Sequence, residues 1–182
     1  TPSFFRLVPG SIRDVSTVVA SVKEAHLKEA LLIGDKGFYS EPNMAALEDK
    51  NVNLKYIFPL KRNSTLISYM PTRNGDRKKF DGCFRFDERV IWFREQKPRS
   101  RVERERGRRV ILFLDERLKA EEEKDFMSHV KAGKLDMEGY FEQQFFMGTI
   151  AVVSNCLFSA QRVFELLKER IEVEQVFDTF KN

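Results

Sequence analysis

The sequence predicts an α/β domain with a β-rich middle, and three observations predict it. Residues 1–60 read in the order β, α, β, α, β, which argues for a largely parallel sheet covered by helices. Residues 61–147 turn basic and turn-rich, then alternate with the period of two that marks strands. Residues 148–182 return to a buried-strand pattern followed by a long amphipathic helix. The chain is therefore divided into a first part of the core (1–60), a β-rich insertion (61–147), and a last core strand with its helix (148–182). Its 182 residues, 42% hydrophobic and 33% charged, suffice for one soluble globular domain with a sizeable core. No apolar run approaches the roughly 20 residues that span a bilayer.

Ser3–Val8 is apolar and rich in β-formers, and Pro9-Gly10 closes it with a turn signal. A helix follows to about Leu27, capped by Asp14 or Ser16, on the spacing of Val15, Val18, Val19 and Val22. Ala30–Gly34 is a short buried strand that ends at Asp35. Ser40 caps the next helix, Pro42 is tolerated in its first turn, and Met44, Leu47 and Glu48 carry it to about Lys50. Leu54–Leu60 is a strand with Pro59 near its end. Gly82–Phe93 alternates around a hairpin turn at Asp87-Glu88, and Arg108–Leu114 is a further strand. A helix is expected near Glu121–Lys131, and the stretch to Gln144 carries little signal. Gly148–Cys156 is a strand, and Phe158-Ser159 opens the final helix.

Asp35 is the first residue with a positional reason for chemistry. In open α/β sheets ligands bind outside the carboxyl ends of strands, and Asp35 is a carboxylate delivered there, suited to a metal ion. Turn stabilisation is the plainer reading of the same residue. On the last helix, Glu174 lies one turn from Arg170, and Lys181 returns to within some 20° of Arg170's azimuth at about 100° per residue. These three share one face beside an apolar stripe, as a solvated helix face also would.

Together the stretches LLIGDKGFYSEPNMAALEDKNV and FELLKERIEVEQVFDTFKN resemble the DDE-type transposases of insertion sequences. The first is similar to the block around the family's second catalytic aspartate. The second is similar to its Tyr-Arg-Glu-Lys motif, whose spacing Arg170, Glu174 and Lys181 keep. SFFRLVPGSIRDVSTV resembles the segment before that aspartate. The resemblance implies an RNase H-like core, a mixed sheet flanked by helices and interrupted by a β-rich insertion. It implies Asp35 and Glu174 as two of three carboxylates that hold two divalent ions, Mg²⁺ or Mn²⁺. It implies cleavage of transposon ends, strand transfer into target DNA, and phosphate contacts from Arg170, Lys181 and Lys36. It also implies a homodimer on paired ends, working in the cytoplasm at the nucleoid.

Several positions depart from the family pattern. Leu167 stands at the motif's Tyr, Lys36 at a usual Arg, and Ser11 at a usual Asn. The family's first catalytic Asp is expected upstream of Thr1, and Asp14 matches a different, non-catalytic position. The chain, which starts at Thr1 and stops within a helix, is therefore expected to be a catalytic-domain fragment that is inactive alone. Two alternatives remain: an RNase H-like nuclease without strand transfer, and a DNA-binding relic of a disrupted element.

The net charge of +4 is compatible with nucleic acid, and its distribution matters more than its size. The link Lys97–Arg109 holds Lys97, Arg99, Arg101, Arg104, Arg106, Arg108 and Arg109, a run that could follow a DNA backbone or be a solvated loop. Lys61-Arg62 and Arg77-Lys78-Lys79 are secondary candidates. Trp92 reads as core ahead of a base-stacking platform. Cys83 and Cys156 lack zinc-ligand spacing and fit a reducing compartment, and His26 and His129 also lack ligand spacing.

Overall fold

A computed structural model describes residues 19, 20, 24, 30–49, 54–73, 75–96 and 107–179, with the helical backbone alone for 171–179. The strand expected at 3–8 lies outside the described residues, and of the helix expected before Leu27 only residues 19, 20 and 24 are described, all helical. Six strands form one sheet: β1 (Leu31–Ile33), β2 (Lys55–Pro59), β3 (Gly82–Phe86), β4 (Arg89–Gln96), β5 (Arg109–Asp115) and β6 (Thr149–Ser154). Their order is β1-β2-β6-β5-β4-β3. The α-helices bounded within the described residues are α1 (Glu41–Leu47), α2 (Met70–Arg73), α3 (Glu116–Lys131), α4 (Met137–Gln143) and α5 (Ala160–Thr179).

The parallel pairing expected within residues 1–60 holds for the described strands there, and the sheet as a whole is mixed. Among the described strands only β1 and β2 pair in parallel, Leu31 opposite Lys55 and Ile33 opposite Ile57. The pairs β2–β6, β6–β5, β5–β4 and β4–β3 are antiparallel. The reason lies in the connections. A parallel pair needs a crossover, and α1 supplies one between β1 and β2, whereas a two-residue turn can only fold a strand back on itself. Asp87 and Glu88 make that turn between β3 and β4, both with positive φ (43° and 61°), the geometry of a type I′ hairpin. The strands of the 61–147 segment extend the same sheet that β1 and β2 begin.

Alternation along the strands sends side chains to two faces. On one face Tyr56, Phe58, Leu112, Ala151 and Val153 pack under Met44 and Leu47 of α1. On the other Ile57, Ile111, Phe113 and Val152 pack under Val163, Phe164 and Leu167 of α5, with Leu31 and Ile33 beside them. Fully burying such a side chain stabilises the fold by about 1.5–3 kcal/mol. Trp92 is half-buried and leans on Phe80, their ring centres 6.1 Å apart.

Two helices differ from expectation for local reasons. The helix expected from Glu121 starts at Glu116, because the carboxylate that ends β5 also caps α3: Asp115 Oδ1 accepts from the Arg117 and Leu118 amides. Asp136 likewise caps α4 in the stretch with little sequence signal, accepting from the Gly139 amide.

The course of α5 matters most for the site. Its start is tied to the amino end of β5, where the Arg109 guanidinium donates to the Phe158 carbonyl. Two turns on, the surroundings of Lys168 are Arg89, Asp115 and Asp87, the groups at the carboxyl end of β5. Since β5 runs in the same direction as β2 and β1, α5 travels toward the carboxyl ends of all three. It also touches β1 directly.

Candidate active site

The loop that follows β1 is built around one close approach. The Gly34 amide donates to the Ile57 carbonyl at 3.3 Å, which continues the β1–β2 pairing one residue further. A Cβ on Gly34 would sit 2.5 Å from Cε1 of Phe58. That ring is fully buried and stacks with Tyr56 and with Phe38 at centroid distances of 5.2 and 5.9 Å, so it has little room to move. Gly34→Ala is expected to cost about 1–3 kcal/mol, the range for overpacking, and to displace the loop. Urea denaturation would measure the loss, and unchanged stability would refute the tight fit.

Past Gly34 the chain turns, with the Phe38 amide donating to the Asp35 carbonyl at 3.0 Å. Asp35 is exposed, and its Oδ1 accepts from the Lys36 amide at 2.6 Å. Among the described residues no cationic side chain lies within ion-pair distance of Asp35. The far side of the loop is pinned to α1. Ser40 caps the helix by accepting from the Asn43 amide at 3.3 Å, and Asn43 Nδ2 donates to the Phe38 carbonyl at 2.9 Å. The result is an uncompensated carboxylate on a braced turn.

The sequence names Glu174 as its partner. The described helix carries position 174 on its backbone, two turns beyond Leu167. At 100° per residue positions 170 and 174 lie within about 20° of the seam defined by Val163 and Leu167, which faces the sheet. They therefore continue the apolar stripe, where the sequence alone set them beside it. Lys168 lies on the flank toward β5, its Nζ 5.2 Å from the centre of the Phe164 ring. Burial, helped by the neighbouring Arg89, holds its ammonium below the usual lysine range, while Asp115 and Asp87 oppose that shift.

Residues 1–182 match the family model of the transposase DDE domain. The chain belongs to that family. No curated protein and no solved structure matches it. Its mixed six-stranded sheet with helices is the RNase H-like fold of a DDE transposase domain, and the family's work is DNA transposition. No helix among the described residues is long and apolar enough to cross a membrane.

DDE transposases normally use divalent metal ions, and the donor chemistry at Asp35 fits such an ion. A carboxylate oxygen is the hard ligand that Mg²⁺ and Mn²⁺ prefer, and Asp35 is exposed and, among the described residues, unpaired by any cation. Asp35 stands without the rest of a cluster, since no group of three His, Cys, Asp or Glu among the described residues could hold a metal.

The basic residues sort clearly. Lys36 is exposed beside Asp35, and Arg170 is half-buried on α5. Lys181, Lys97, Arg99, Arg101, Arg104 and Arg106 lie outside the described residues. Two members of the basic link fall at the start of the strand expected at Arg108–Leu114 and are already engaged. Arg108 is buried, ion-paired with Glu41 and Glu48. Arg109 belongs to β5 and pairs with Glu95. Arg62 is taken by Glu122 at 2.6 Å, and Arg77 Nε donates to Glu116 at 2.7 Å. Sequence reading missed what surrounds Lys61: it lines a cleft of about 190 Å³ with Lys36, Gly37, Tyr39 and Asn63, between the loops that follow β1 and β2.

Proposed function

We propose that the chain supplies two of the three metal-holding carboxylates of a DDE transposase, Asp35 from the end of β1 and Glu174 from α5. The observation that carries this reading is the direction of α5, which runs with β1 toward the end where Asp35 stands. Position 174 falls on its sheet-facing seam. When bound, a pair of Mg²⁺ or Mn²⁺ ions lowers the cost of charge developing on the attacking and leaving oxygens of an in-line phosphoryl displacement. The chain's own residues do the rest. Asp35 and Glu174 hold position and charge at the reaction centre. Arg170 and Lys181 grip phosphates near the cut, Arg with a planar fork and Lys as a point charge. Lys36 adds a third cation. Lys97, Arg99, Arg101, Arg104 and Arg106 follow the DNA backbone further out.

The substrates on this reading are transposon ends, cut first by water, and target DNA, attacked next by the freed 3′-hydroxyl. The domain works as a homodimer on paired ends at the nucleoid. Residues 1–60 and 148–182 are its two catalytic parts, and 61–147, whose strands extend the same sheet, the insertion between them. With two of three carboxylates matched, these 182 residues alone bind DNA without cutting it, and a chain supplying the third cuts. The experiment is end cleavage by such a chain in Mg²⁺, followed by transfer of the cut end into a plasmid. A chelator and Glu174→Gln are each expected to reduce cleavage at least about a hundredfold, the scale of losing one preorganised electrostatic group. Full cleavage in either case would overturn the reading. Cleavage without transfer would make the protein a simple nuclease.

A further inference from the structure

The cleft between the loops after β1 and β2 sets Lys61 and Asn63, which have no role in the proposed chemistry, beside Lys36, which has one. It opens at the carboxyl ends of the one parallel pair among the described strands, the place where an open α/β sheet receives ligands. Its walls carry two cations and an amide: Lys36 from the Asp35 loop, and Lys61 and Asn63 from the turn after β2. All three are exposed. Among the described residues neither ammonium meets a carboxylate within ion-pair distance, and the Asn63 amide has no hydrogen-bond partner. Gly37 leaves the floor open, since a Cβ there would meet nothing within 4 Å.

The carboxylate that follows the cleft in sequence, Glu41, is already committed. The Tyr39 hydroxyl donates to Glu41 at 2.9 Å, and Glu41 accepts two hydrogen bonds from buried Arg108. Both walls are braced. Asn43 holds the Phe38 carbonyl, and the Ser64 amide closes a turn onto the Lys61 carbonyl at 2.9 Å. A braced notch lined by two ammonium groups and an amide is shaped for an oxyanion. A metal would be repelled from it.

We propose that Lys61 and Asn63, with Lys36, form a cradle for one backbone phosphate of the DNA strand next to the one being cut. Lys61 supplies charge and Asn63 a directional N–H, so the strand is held in register with Asp35. Lys61 and Asn63 are positioning residues: they fix the neighbouring phosphate and do not touch the reacting atoms. The proposal rests on the transposase reading, and its test separates the two.

The measurement uses the full transposase on end DNA. Lys61→Ala with Asn63→Ala is expected to weaken binding about tenfold and to lower the slope of log affinity against log salt by about 1, the effect of one lost phosphate contact. Lys61→Arg should restore most of the binding and the slope. In parallel, single methylphosphonates are walked along the strand. One neutral linkage beside the cut should weaken wild type about tenfold and leave the double variant unchanged. No such position, or equal losses in both proteins, would overturn the cradle. Asp35→Asn decides the reading beneath it. If that variant is dead while Lys61→Ala with Asn63→Ala binds and cuts normally, the cradle fails and the transposase site stands. If Asp35→Asn cuts normally, the site reading fails.

Discussion

Asp35→Asn is expected to reduce metal-dependent cleavage at least about a thousandfold, in a chain that supplies the third carboxylate, while leaving DNA binding intact. The substitution keeps the shape of the side chain and removes only its charge. Asp35 is exposed and, among the described residues, unpaired by any cation, so no ion pair described there is lost. The amide oxygen of Asn can still accept from the Lys36 amide, the one hydrogen bond the Asp35 side chain makes among the described residues. Stability should therefore stay within about 0.5 kcal/mol, the usual range for surface changes. The rate should not survive. One preorganised electrostatic group is worth about 10²–10³ in rate, and a charged ligand shared by two ions is worth at least as much. A thousandfold loss is about 4 kcal/mol of transition-state stabilisation. In chelator, affinity for DNA should hold or rise slightly, because a negative charge beside the phosphates is gone. Gel-shift titration and end cleavage on the same preparation separate the two effects. Loss of binding in step with loss of cutting would mean that Asp35 is structural.

The reason Asp35 could be read from sequence is local. Leu31–Ile33 is too short for anything but a strand, Gly34-Asp35 stops it, and Ser40 with Pro42 announces the next helix, whose cap the structure shows. The Asp87-Glu88 turn was legible for the same reason: two polar residues interrupt an alternating run. What stayed hidden depends on partners distant in sequence. Alternation says that β2 is a strand but not that it pairs antiparallel with β6, about a hundred residues later. Asn155 reads as part of the last strand, yet β6 ends at Ser154; its Oδ1 accepts from the Tyr56 amide at 2.9 Å and its Nδ2 donates to the Leu54 carbonyl at 2.9 Å, so a side chain carries the ladder to β2 past the end of β6. Lys61 looked like one more surface cation, because its neighbour across the cleft, Lys36, belongs to another element. Arg108 was misread most, since in a run of arginines nothing local marks the one that is buried.

That buried arginine should be the costliest side chain to remove. Arg108 is 4% exposed. Its Nε and Nη2 donate to the two oxygens of Glu48 at 2.7 and 3.0 Å, and its Nη1 reaches both oxygens of Glu41. The Tyr56 hydroxyl donates to the same Glu48 at 2.6 Å. Burial alone would lower the guanidinium's proton affinity, but the hydrogen bonds from Glu48 and Glu41 outweigh it, so the charge is fixed. Arg108→Ala takes the buried guanidinium away from the Glu48 carboxylate and is expected to cost about 3–5 kcal/mol in urea denaturation. Glu41 is 61% exposed, so its half of the pair is screened, and Glu41→Ala should cost below about 1 kcal/mol. Replacing Arg108 by Met together with Glu48 by Leu should recover most of the loss, because no orphaned charge remains. If Arg108→Ala and Glu41→Ala cost the same, the buried pair is not what holds α1. The pH dependence has a definite sign. Burial first, then the hydrogen bond and charge of Glu48, push the Tyr56 phenol above its ordinary value of 10.0. A group raised on folding contributes fully below its unfolded value and loses that contribution as pH rises past it. Stability should therefore fall above about pH 10, and Tyr56→Phe should flatten that fall. The consequence reaches the site through α1. Arg108 clamps that helix at both ends, through Glu41 and Glu48, and Ser40 at its start closes the loop that presents Asp35. Arg108→Ala should therefore lose cleavage on warming before it unfolds globally, whereas Glu41→Ala should keep both.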